Sequence, residues 1–113
     1  SFQQALMPRD QVKSGWLSYG PSVALPEGKY RFSIDYSSQN TPKQTVGKWD
    51  FVLDGDITLS AGSLLGTLDN PRTIEGIVIV TQQNANKAFE IRTYFQAQSE
   101  LKIFNSSLQK IPD

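Results

Sequence analysis

Acid–base chemistry without histidine must come from a carboxylate, a lysine or a tyrosine, and this chain of 113 residues contains no His and no Cys. That absence removes thiolate nucleophiles, zinc sites of the Cys/His type, and every Ser-His-Asp or Cys-His arrangement. The close carboxylate pair is Asp54-Gly55-Asp56. Two carboxylates in one loop can act on a glycosidic bond or hold Ca²⁺, but the Glu that closes an EF-hand loop is missing here, and Asp-Gly is the dipeptide of a tight hairpin turn. The pair is expected to be a turn. No Gly-rich phosphate loop and no nucleophile elbow occurs. On this reading no catalytic residue, metal ligand or cofactor is assigned, and an enzyme is not expected.

Groups that hydrogen-bond and stack are better represented. Arg31, Ser33 and Asp35, then Lys48 and Asp50, then Glu90, Arg92 and Tyr94 all fall on the polar phase of alternating segments. If the three segments lie in one sheet, these side chains form an outward patch of mixed charge containing an exposed aromatic. Such a patch suits a sugar, whose hydroxyls bond to carboxylates and guanidinium forks while the C–H face of its ring packs on Tyr or Trp. A plain solvated sheet face shows the same alternation, so both readings stand. The other aromatic candidates are Trp16 and Tyr19, within Gly15-Trp16-Leu17-Ser18-Tyr19-Gly20-Pro21. They have opposite parity in an extended chain, so simple alternation places at most one of them in the core. Trp49, in phase with Phe51 and Leu53, is expected in the core. The candidate ligand-binding set is therefore Trp16, Tyr19, Arg31, Asp35, Asp50, Arg92 and Tyr94, with a glycan as partner.

The elements that must position these residues read as all-β. With 38% hydrophobic, 11% aromatic and only 19% charged residues the chain can fill a core, and its length fits one domain spanning 1–113. Eleven basic and eleven acidic residues cancel, so no field draws in nucleic acid or an anionic membrane. No apolar run reaches the ~18 residues of a membrane-spanning helix. Because the chain begins at Ser1 rather than Met and opens mid-pattern, it is expected to be a domain excised from a larger protein or a processed form.

Alternation of period two predicts a strand over 29–37, with Tyr30, Phe32, Ile34 and Tyr36 inward, started by the Leu25-Pro26-Glu27-Gly28 turn. A polar loop is expected over 37–47, and a strand over 48–54 closed by Asp54-Gly55, with Ile57, Leu59 and Ala61 continuing inward beyond it. The segment 63–71 reads as a short strand or a covering loop. Ile77-Val78-Ile79-Val80 has the unbroken β-branched character of a central strand covered on both faces. Phe89, Ile91, Thr93 and Phe95 alternate in the next strand, which is expected to form a hairpin with it through 84–87. Leu101 to Phe104 and then 108–111 supply two short final strands. The count of seven to nine strands, one per turn signal, predicts an antiparallel β-sandwich.

The residues Gly15-Trp16-Leu17-Ser18-Tyr19-Gly20-Pro21, Val23, Leu25-Pro26-Glu27-Gly28-Lys29-Tyr30-Arg31-Phe32 and Leu101-Lys102-Ile103-Phe104 resemble the small jelly-roll, galactose-binding-like domains that accompany glycosyltransferases and related proteins of bacterial surface-polysaccharide pathways. In that group a Y-G-P … L-P-x-G-x-Y pattern leads into the first long strand. The resemblance implies a jelly roll, a non-catalytic role in recognising an envelope or cell-surface glycan, and a setting in the bacterial periplasm or envelope. It carries no set of ligand residues. The alternative is a structural or docking sandwich that contacts other domains of a larger membrane-associated protein through the same face or through the apolar segment 63–68.

Overall fold

The computed structural model describes residues 2–5 and 15–19 along the backbone and residues 23–96 and 99–112 with their side chains. Nine strands lie among them: β1 Phe2–Ala5, β2 Gly15–Tyr19, β3 Ala24–Leu25, β4 Gly28–Ser37, β5 Thr45–Leu53, β6 Ile57–Leu65, β7 Arg72–Val80, β8 Lys87–Phe95 and β9 Lys102–Ile111. All pairings are antiparallel. One sheet has the order β1-β9-β4-β7 and the other β2-β8-β5-β6, with β3 following β2 along the edge of β8. The fold is the expected all-β sandwich. No helix among the described residues is long and apolar enough to cross a membrane.

The core lies between the sheets because both inner faces carry the apolar phase of their strands. In β4, Tyr30, Phe32, Ile34 and Tyr36 are buried while Lys29 and Arg31 are exposed, as the alternation predicts. Phe32 meets the other sheet, its ring centroid 5.2 Å from Trp49 and 5.7 Å from Phe51, and Phe51 stacks on Phe89 at 5.7 Å. Each such ring contributes about 1.5–3 kcal/mol by leaving water. The buried tyrosines keep their hydroxyls bonded: Tyr30 donates to the Pro26 carbonyl and Tyr36 to that of Leu65, each at 2.7 Å. The Pro26 turn is thereby tied to the strand it starts.

Burial pushes the Tyr30 phenol above its ordinary value. A raised folded value stabilises the fold fully below the unfolded value near 10, and that stabilisation is lost as pH rises through the folded value. The urea midpoint is accordingly expected to fall as pH rises above about 10, and to fall less in Tyr30→Phe, which has no proton to lose.

Several expectations are corrected. Among the described residues β7 is not a covered central strand but the edge of its sheet, paired with β4 alone, and Ile77 and Ile79 are 53% and 60% exposed. β-branching favours extended backbone whether or not the outer side is covered, so the run reported a strand but not its place. Nor do β7 and β8 form a hairpin: β7 pairs with β4 and β8 with β5 in the opposite sheet, so the 81–86 connection crosses between sheets. β5 starts at Thr45, before the expected 48, and β6 runs on to Leu65. The last two short strands are one, β9, because the Asn105-Ser106-Ser107 stretch still pairs with β4, and the Ser33 and Ser107 hydroxyls hydrogen-bond across it at 2.6 Å.

Asp54-Gly55 is the expected turn. Both residues have positive φ, 52° and 75°, and the Asp56 N–H donates to the Leu53 carbonyl at 3.1 Å, which is the type I′ geometry that suits the right-handed twist of a hairpin. The Asp54 carboxylate accepts the Ala88 N–H at 3.2 Å and lies 3.8 Å from the Lys87 ammonium, so it joins the β5–β6 hairpin to the start of β8.

Candidate functional site

The side chains of β5 and β8 divide between the two faces of their sheet. Phe51 and Leu53, with Phe89, Ile91, Thr93 and Phe95, are buried against the other sheet, and the alternate positions Lys48, Asp50, Glu90, Arg92 and Tyr94 face outward. The register sets Lys48 opposite Tyr94 and Asp50 opposite Arg92, and directly opposed residues in antiparallel strands share a face. Four outward side chains thus form a block on neighbouring strands, two opposed pairs long.

A depression of about 430 Å³ opens over this block, lined by Lys48, Asp50, Arg92 and Tyr94 and by Trp49, Ala61 and Gly62. Its room comes from β6. An extra residue in β6 sets Ser60 opposite Phe51 and Thr58 opposite Val52, a β-bulge that shifts the alternation by one. Ala61 and Ser63, opposite Asp50 and Lys48, therefore stand on the outer face as small side chains. The expectation that Ala61 continues the inward phase of Ile57 and Leu59 is corrected for this reason. Gly62 takes the inward place opposite Trp49, whose indole covers it: a Cβ there would lie 2.7 Å from Trp49 Nε1. Trp49 is held between Gly62 and Phe32, a core position that is partly exposed.

Arg92 donates from Nε to Asp50 Oδ1 and from Nη2 to Oδ2, both at 2.8 Å. This planar fork fixes the guanidinium at a bearing that a lysine would not hold. Hydrogen bonding to Asp50 raises the Arg92 pKa, with the charges of Asp50 and Glu90 adding to it against desolvation, so Arg92 is charged at every working pH. Tyr94 beside it is 48% exposed and offers a ring to stack on.

The structure does not bring the whole candidate set together. Arg31 and Asp35 belong to β4, in the other sheet, so the premise of a single patch across β4, β5 and β8 is corrected. Arg31 is exposed on the opposite outer surface, and Asp35 there accepts the Thr73 hydroxyl at 2.7 Å. Alternation tells which way a side chain points relative to its own sheet, and is blind to which sheet that is. Asp50, Arg92 and Tyr94 are brought together. In the β2–β8 register Trp16 stands opposite Tyr94 and Tyr19 opposite Ile91; their side chains lie outside the described residues. Ala61 and Gly62 were not candidates, and the bulge that brings them to the site has no composition cue.

Neither a protein-family model nor a curated protein matches the sequence. Solved structures do. The C-terminal family 6 carbohydrate-binding module of LamC, a marine laminarinase from Zobellia galactanivorans, is 16% identical, with 97% of this chain and 94% of that one covered and a TM-score of 0.62. A family 6 module of lichenase 5A from Cellvibrio mixtus, solved with cellotriose, is also 16% identical, covers 96% and 91%, and has a TM-score of 0.62. A cyclase from Fischerella, solved with an indolyl butanone, is 15% identical over 89% of this chain and 59% of that chain, with a TM-score of 0.65. The same sandwich therefore carries both binding modules and an enzyme, and the likeness fixes architecture rather than activity. The chain has the jelly-roll fold of carbohydrate-binding modules.

Proposed function

We propose that this domain is a non-catalytic carbohydrate-binding module that binds a sugar chain on the outer face of β5 and β8. The observation that carries the reading is the Asp50–Arg92 fork lying beside the half-exposed Tyr94 in an open depression. Tyr94 packs the C–H face of a pyranose, the unused N–H groups of Arg92 donate to ring hydroxyls, and Asp50 accepts from others. The family 6 module solved with cellotriose supports the reading by showing a sugar bound to a domain of this architecture. The resemblance of segment 19–32 to domains of surface-polysaccharide proteins supports the finer form: the glycan belongs to a bacterial envelope or cell surface, and the module is accessory to a polysaccharide-processing protein.

Calorimetry against a panel of gluco-, galacto- and manno-oligosaccharides tests this. At least one is expected to bind, and Tyr94→Ala is expected to weaken it about tenfold or more through loss of the stacking ring. Unchanged affinity in that variant moves the site elsewhere. The docking alternative rests on a different observation, the exposed Ile77 and Ile79 on β7 with Leu68 at 55% exposure, since exposed apolar groups of this kind mark contact surfaces. In that case no sugar of the panel binds.

A further inference from the structure

We infer that the β5–β8 face selects acidic sugars, whose ring carries a carboxylate or sulfate, over their neutral counterparts; this rests on the glycan-binding reading above. Two cations, Lys48 and Arg92, and one anion, Asp50, line the depression. The anion is already engaged, because each of its oxygens accepts one N–H of Arg92. Of the five N–H donors of a guanidinium, two point at Asp50 and three remain.

Lys48 is exposed, and no ion pair or hydrogen bond engages its ammonium among the described residues. It stands directly opposite Tyr94, where opposed Cβ atoms are about 4.5–5.5 Å apart. A ring stacked on Tyr94 thus brings its substituent within reach of a free ammonium and of the spare Arg92 donors. Glu90, the remaining acid on this face of β8, lies two positions beyond Arg92 on the side away from Lys48. Among the described residues the unbalanced charge is therefore positive where a sugar substituent falls, and an oxyanion there gains charge-assisted hydrogen bonds that a hydroxymethyl group does not.

The test compares matched trisaccharides of the β-1,4-gluco, β-1,3-gluco and β-1,4-galacto series in neutral, C6-carboxylate and C6-sulfate forms, by calorimetry at low salt. In the series that binds, an acidic form is expected about tenfold tighter than the neutral one, with the preference shrinking in 0.5 M NaCl as screening shortens to about 4 Å. Lys48→Gln is expected to remove most of that preference, whereas Lys29→Gln, on the other sheet, retains it. Equal affinity for neutral and acidic forms, or a full preference retained in Lys48→Gln, overturns the inference and leaves the glycan-binding reading standing. Absence of binding by every form overturns that reading and the inference with it.

Discussion

Phe51→Ala is expected to lower the stability of the domain by about 3–5 kcal/mol, the range for truncating a fully buried phenylalanine. Phe51 is 0% exposed, stacks on Phe89 within its own sheet and meets Phe32 across the core. Truncation removes both ring contacts and leaves a void that strands paired on both sides cannot close, since β5 is hydrogen-bonded to β6 and to β8. Total stability for a domain of this size is about 5–15 kcal/mol, so the variant should sit close to unfolding. Urea denaturation checks it: the midpoint falls with little change in slope. A loss under about 1 kcal/mol would mean that the sheets close over the void and the core is more plastic than its packing indicates.

Gly47→Ala is expected to damage both the fold and the site. Gly47 is buried and lacks a positive φ, so its role is space rather than backbone freedom. A Cβ at this position would sit against the carbonyl oxygen of Tyr94, with Leu101 Cδ2 at 3.3 Å. The obstacle is backbone of the neighbouring strand and cannot rotate away, so the cost belongs at the upper end of the ~1–3 kcal/mol of overpacking. What gives way is β8 at Tyr94, the ring on which the sugar is proposed to stack. Sugar affinity should fall with stability, and the Tyr94 amide resonance should move in the free protein. A stable variant with an unmoved Tyr94 amide would contradict the close approach of these strands.

The strand phases were legible because a buried face imposes period two on the sequence. Tyr30-x-Phe32-x-Ile34-x-Tyr36 and Phe89-x-Ile91-x-Thr93-x-Phe95 read correctly for this reason. What alternation cannot carry is pairing between strands distant in sequence. The assignment of β4 to one sheet and of β5 and β8 to the other separated Arg31 and Asp35 from Asp50, Arg92 and Tyr94. Ile77 and Ile79 misled in the same way, since the hydrophobicity of a strand reports its backbone preference before it reports its neighbours. The bulge in β6 was hidden for a different reason: an added residue leaves Ile57, Leu59 and Ala61 at unchanged spacing while reversing where the last of them points. The core of the site was readable because Asp50 and Arg92 lie on strands that happen to be adjacent, and their opposition is a fact of register alone.

Glycan binding by the outer face of β5 and β8 is checked by titrating the ¹⁵N-labelled domain with the oligosaccharide panel and following every backbone amide. Saturable shifts are expected to cluster on residues 48–50, 61–63 and 92–94, with the amides of β4 and β7 unmoved. Shifts clustered on Arg31 and Asp35 or on the 81–86 connection, or no shift with any sugar at millimolar concentration, would contradict it.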